Sequence, residues 1–209
     1  LVYPLPSYPK VDGISDYNTD EAIEMMEEAR ANAKIPSDKK LEISFGIVDS
    51  EYSRATAKIL KDAWLPLGVE LITFNIREED YFTSIPYLNY DIFSYAWIGD
   101  FADPVAFLEL FRDGSTLNQT AWKNEEFTKK LKLADEETDS LERYKLLSQA
   151  EQILLDDGVI MPIYHSLSYH VINTNSVGGW YTNGLDIHPF KYLYIKDHNP
   201  QPLQNIAKK

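Results

Sequence analysis

Leu41-Glu42-Ile43-Ser44-Phe45-Gly46-Ile47 alternates apolar with small or polar residues, the two-residue period of a strand with one face buried. Beyond it, Ala55, Ile59, Ala63 and Leu67 recur at helical spacing, and Pro66 and Gly68 stop that helix. Val69-Glu70-Leu71-Ile72-Thr73-Phe74 then reads as a second strand. Strand, crossover helix and strand make a βαβ unit, which pairs its strands in parallel with right-handed sense. A third apolar stretch, Ile92-Phe93-Ser94-Tyr95-Ala96-Trp97, fits a further strand of the same sheet. The class is α/β.

Outward from this unit the pattern turns helical. Residues 1–16 carry three prolines and little periodicity, the composition of an extended linker. Asn18 with Glu21 resembles a capping box, and Ala22, Met25, Met26 and Ala29 follow at helical spacing until Pro36. On the other side, Asp139 and Glu142 box the start of a long helix with Leu147, Ala150 and Leu154 on its inner face. Residues 159–164 and 169–172 read as strands. Gly178-Gly179 and Gly184 then punctuate a loop before a closing strand, Tyr192-Leu193-Tyr194-Ile195. There is no internal repeat and no low-complexity tract.

Composition narrows the function classes. Of 209 residues 44% are hydrophobic and 25% charged, with mean hydropathy −0.35, as in soluble globular chains. The net charge of −13 repels phosphate backbones and anionic lipid, which argues against nucleic-acid and membrane-surface partners. The absence of cysteine removes disulfides, thiolate catalysis and cysteine-type zinc sites. No apolar run is long enough to span a bilayer. The opening Leu1-Val2-Tyr3-Pro4-Leu5-Pro6 has no leader pattern and reads as part of a longer chain.

The densest chemical signal is Trp97-Ile98-Gly99-Asp100-Phe101-Ala102-Asp103-Pro104, at the end of the third strand, where open α/β sheets hold ligands. A carboxylate beside an aromatic ring suits an ammonium group, through charge-assisted hydrogen bonds and cation–π attraction. Asp103 before Pro104 reads more simply as a helix cap, and Trp97 as core; Asp100 stands open between a structural and a ligand role. Two acids three residues apart do not span a sugar as a glycosidase pair does. Phe101 and Pro104 break the alternate oxygen ligands of a calcium loop. His165 and His170 are five apart, not the i, i+4 of a zinc helix, and no carboxylate stands in the same short segment. These and His188 and His198 read as structural or surface histidines, with no metal and no cofactor expected. No Gly-x-Ser-x-Gly elbow or phosphate loop occurs, so no catalytic residue is assigned. The 14 tyrosines, 9 phenylalanines and 4 tryptophans suit either a recognition surface or a core.

Taken together, several segments resemble the extracytoplasmic solute-binding family of oligopeptide, dipeptide and nickel ABC importers. They run in family order from Tyr17-Asn18-Thr19-Asp20-Glu21-Ala22 and Ala63-Trp64-Leu65-Pro66-Leu67-Gly68-Val69-Glu70 to Tyr90-Asp91-Ile92-Phe93 and the 97–104 stretch. Glu142-Arg143-Tyr144, Ile160-Met161-Pro162-Ile163-Tyr164, Val177-Gly178-Gly179 and Leu193-Tyr194-Ile195 complete the series. The resemblance implies one lobe of a two-lobe periplasmic-binding-protein-like (type II) clamshell, a mixed sheet with flanking helices. Residues 17–165 would form the C-terminal ligand-binding lobe, and 166–209 a return segment packed on the N-terminal lobe. It implies no enzyme but a peptide-transport component, periplasmic or cell-surface and lipid-anchored as a lipoprotein, working with ABC permease subunits. Asp100 would hold the peptide's amino group beside Trp97, with Ile98, Asn118, Tyr164 and His165 around the groove. Ser94 stands where some oligopeptide binders carry arginine, which puts in doubt a charged contact from that point. A binder of another small solute, a metal complex or a sugar, is the alternative, and a hydrolase the more distant one.

Overall fold

The computed structural model describes residues 1–2, 5–13, 17–84 and 90–196. Parts of the linker (3, 4 and 14–16), His198 and the 197–209 end of the return segment lie outside the described residues.

The βαβ unit forms as the alternation requires. β1 (Leu41–Val48) and β2 (Val69–Ile76) pair in parallel along their whole length, Leu41 opposite Val69 and Val48 opposite Ile76. α2 (Glu51–Trp64) joins them, capped by Ser50, whose hydroxyl accepts from the Ser53 N–H at 3.0 Å. Gly68 adopts φ 72°, the left-handed conformation that ends the helical turn at Leu65–Leu67 and admits β2. The inner face of α2 differs from the one its sequence suggests. Ala57 is buried, with Leu60 and Trp64 against Phe45, Ile47 and Leu71, whereas Ala55, Ile59 and Ala63 face outward.

β3 (Ile92–Phe93) adds in parallel to the other side of β1, giving the order β2-β1-β3. Asp91 pins it there: its carboxylate accepts from the Ser44 N–H (2.8 Å) and Ser44 hydroxyl (2.6 Å), and its own N–H donates to Ser44 Oγ. Those bonds hold the Asp91 carboxyl below the usual carboxylate range. β3 is two residues long and an edge strand of this sheet, so Trp97 does not end a central strand as expected; residues 94–99 run on without regular structure.

A second core is helical. α5 (Glu125–Glu136) is capped by Asn124 and α6 (Ser140–Asp156) by Asp139, which accepts from the Leu141 and Glu142 N–H groups. Phe127, Leu131 and Ala134 of α5 bury completely against Leu147, Ala150 and Leu154 of α6, the inner face expected from the sequence. A short helix, α4 (Val105–Leu108), and the turn at Glu109–Phe111 close this core with Leu108, Leu110 and Phe111. The N-terminal stretch has no helix or strand, yet it packs on the same core. Val2 is buried, its N–H donates to Glu151, and so does the Tyr8 hydroxyl, both at 2.8 Å. Those two donors satisfy a carboxylate that is otherwise buried on α6, as burial of a charge requires.

α1 (Thr19–Asn32) starts at the expected capping box, Asn18 and Glu21 bonding reciprocally. Its buried residue is Arg30, not an apolar side chain. The guanidinium donates to the carbonyls of Pro36, Lys39, Leu67 and Gly68, and so ties α1 to the turn before β2. α3 (Glu78–Ser84) packs Tyr81 beneath the sheet edge, and its hydroxyl donates to the Ser94 carbonyl.

Beyond α6 regular structure thins out. The segments 159–164 and 169–172, expected as strands, form no regular structure, and among the described residues no strand pairs with them. The remaining pairing is an antiparallel couple, β4 (Val177–Gly178) with β5 (Tyr194–Ile195).

Candidate functional site

Residues 94–104 carry the chain from the edge strand of the sheet to the helical core, and each end is fastened. Trp97 lies half-buried against the helical core, donates from Nε1 to the Ala106 carbonyl at 2.9 Å and stacks on Tyr95. Gly99 is buried where a side chain would be tight: a Cβ there would lie 3.1 Å from the Phe107 ring, which would have to give way by a few tenths of an ångström. The loop thus runs tight against α4, and only small bulk is tolerated beneath it.

The two carboxylates of this loop have different fates. Asp103 accepts the Val105 N–H at 2.9 Å at the start of α4, as its place before Pro104 suggests. It is also gripped by Arg143 of α6, Nη1 to Oδ2 at 2.5 Å and Nη2 to Oδ1 at 3.0 Å, a bidentate fork. The fork raises the Arg143 pKa further above its ordinary value. Asp100 is exposed, and its carboxylate makes no hydrogen bond or ion pair among the described residues. Ile98 is 82% exposed and Phe101 50%, one on each side of it. An uncommitted anion flanked by two apolar side chains therefore projects from an anchored loop.

The other residues expected around the groove each have partners of their own. Asn118 is committed to its own loop: Nδ2 donates to the Phe111 and Trp122 carbonyls and Oδ1 accepts from Thr120 N–H and hydroxyl. Tyr164 is exposed, edge-on to Tyr52 of α2, and the hydrogen bond between their hydroxyls raises its pKa. His165 donates from Nε2 to the Leu1 carbonyl at 3.1 Å. Neither of two shallow surface hollows, one at the start of α5 and one between α2 and β2, includes a residue of the 97–104 loop.

One cluster escapes the spacing rules altogether. His170 Nε2 lies 2.6 Å and His188 Nε2 2.9 Å from the same Asp186 oxygen. The sequence offers His170 no carboxylate in its own segment; the fold brings one from 16 residues away, so that two imidazoles and a carboxylate meet at one point. His188 beside Asp186 was the only local signal that could have found it.

No protein-family model matches the chain. The oligopeptide-binding protein OppA of Bacillus subtilis is 36% identical over 141 residues, 66% of this chain and 26% of that protein. The dipeptide-binding protein DppE of the same organism is 30% identical over 130 residues, 62% of this chain and 23% of that protein. The chain is related to the peptide-binding proteins of ABC importers. It spans about a quarter of the length of these two relatives. The murein tripeptide-binding protein MppA of Escherichia coli superposes with TM-score 0.74 at 24% identity, over 88% of this chain and 36% of that one. The architecture is accordingly part of a lobe of the type II clamshell of peptide-binding proteins. These relatives are named as binding proteins rather than enzymes, and MppA as periplasmic. Among the described residues no helix is long and apolar enough to cross a membrane.

Proposed function

We propose that the chain is the C-terminal lobe of the substrate-binding component of an ABC importer, and that Asp100 anchors the free amino group of a bound peptide. The observation that supports this reading is the division of labour in the 97–104 loop. Arg143 and the start of α4 occupy Asp103, whereas Asp100 keeps every acceptor position open on a loop that Trp97, Gly99 and Phe107 hold in place. Anchoring a backbone amine rather than a side chain leaves the peptide's sequence free, while Ile98 and Phe101 add apolar contact.

The groove in this reading lies between this lobe and an N-terminal lobe. Leu167, Tyr169 and Val171 are exposed apolar side chains outside any helix or strand, which supports a return segment whose packing partner is the other lobe. The permease subunits, a periplasmic or cell-surface location and a lipid anchor belong to the same proposal for the whole protein. Isothermal titration calorimetry on the whole protein tests it, with one peptide in free and N-acetylated forms. Breaking one partner of a buried charge pair costs about 3–5 kcal/mol. Asp100→Asn should therefore weaken the free peptide on the order of a hundredfold or more. Acetylation should weaken wild-type binding similarly and matter little in the variant. Equal affinity of both peptides for the wild type overturns the anchor. The 209-residue chain alone, offering half a groove, should give no measurable heat.

A further inference from the structure

We propose that His170, Asp186 and His188 form a binding site for a divalent transition-metal ion of the zinc kind. Three donors of the right chemistry meet here, two imidazole nitrogens and one carboxylate oxygen, all within 4.8 Å of one another. Zinc bonds of about 2.0–2.2 Å to such ligands, set tetrahedrally, put neighbouring donors about 3.3–3.5 Å apart. The Nε2 to Oδ1 separations of 2.6 and 2.9 Å need open by less than an ångström to reach that spacing. Both histidine nitrogens face a carboxylate, so at present each must carry a proton. On binding, each ring shifts to its Nδ1–H form and presents Nε2 to the ion.

The surroundings hold the donors in place. The Trp180 ring stacks on His188 at 5.0 Å and 20°, and lies 5.7 Å from the His170 ring. Asn183 closes the loop that carries Asp186 and His188: its Oδ1 accepts from the Leu185 and Ile187 N–H groups and its Nδ2 donates to the Ile187 carbonyl. Asp186 itself sits at φ 54°, in the left-handed region that aspartate adopts more readily than most residues. His170 and Asp186 are each more than a third exposed, which leaves an entry path and room for a water as fourth ligand. A bound ion would staple the segment around Ser168 and His170 to the loop at Asn183–His188.

Titration calorimetry of the metal-stripped chain with zinc chloride at pH 7.5, alongside visible absorption of the cobalt(II) adduct, decides the matter. One ion per chain is expected, with a four-coordinate cobalt spectrum and at least a tenfold loss of affinity in Asp186→Asn, His170→Gln and His188→Gln. His165→Gln should bind as the wild type does. Far-ultraviolet circular dichroism of each variant checks that the chain is still folded, and His188→Gln changes only one imidazole of the pair should Asp186→Asn disturb the loop. No binding by the wild type, or wild-type affinity retained in His170→Gln and His188→Gln, overturns the site and leaves the cluster a hydrogen-bonded loop clasp.

Discussion

Replacing Asp103 tests how the candidate loop is held. Its side chain does two jobs, capping α4 through the Val105 N–H and pairing with Arg143 from 40 residues away. The substitutions Asp103→Asn and Asp103→Ala separate them. Asparagine caps as well as aspartate does, so the first variant loses mainly the charge pair. That pair lies between the extremes, its side chains 24% and 23% exposed. Exposed pairs contribute about 0–1 kcal/mol, and breaking a buried one costs about 3–5 kcal/mol. Asp103→Asn should therefore cost roughly 1–2 kcal/mol, and Asp103→Ala roughly 1 kcal/mol more through the lost cap. Urea unfolding reads both as falls in midpoint at unchanged slope. A double-mutant cycle with Arg143→Gln isolates the pair, and a coupling of about 1 kcal/mol is expected. If Asp103→Asn lies within about 0.5 kcal/mol of the wild type and the cycle shows no coupling, the loop is not held by this fork, and the contrast with Asp100 loses its basis.

The buried Tyr81 hydroxyl gives a pH signature. Burial pushes it up to about 12, so the folded chain keeps a proton that the unfolded chain, titrating near about 10, gives up. Native binds more protons in that window, so this group's share of stability is complete below pH ~10 and lost as pH rises toward ~12. Urea midpoints from pH 9 to 12 should fall more steeply for wild type than for Tyr81→Phe; parallel slopes refute the assignment. Arg30→Met should cost about 2–4 kcal/mol, because the carbonyls of Pro36, Lys39, Leu67 and Gly68 lose their donor together. Arg30→Lys should recover less than half of that, since an ammonium cannot fork across two groups of carbonyls, and full recovery in thermal unfolding would count against this account.

The capping box at Asn18, the Asp139 cap, the parallel β1–β2 pair and the Leu147, Ala150 and Leu154 face all follow from signals that span a few residues. α2 shows where periodicity fails. Apolar residues stand at 55, 57, 59, 60, 63 and 64, an arc of about 200° at 3.6 residues per turn, wider than one packed face, so spacing alone could not choose which part of it is buried; the sheet chose Ala57, Leu60 and Trp64. The expected strands at 159–164 and 169–172 have the right residues, but a strand is a pairing, and nothing in their own sequence supplies the partner. Asp100 stands out as a candidate from its place in the chain alone. That Asp103 is the structural carboxylate and Asp100 the open one depended on Arg143 arriving from α6, and the cluster at Asp186 depended on two loops meeting. Caps and helix faces are short-range consequences of backbone geometry, whereas the company a side chain keeps across the fold is decided only when the chain has closed on itself.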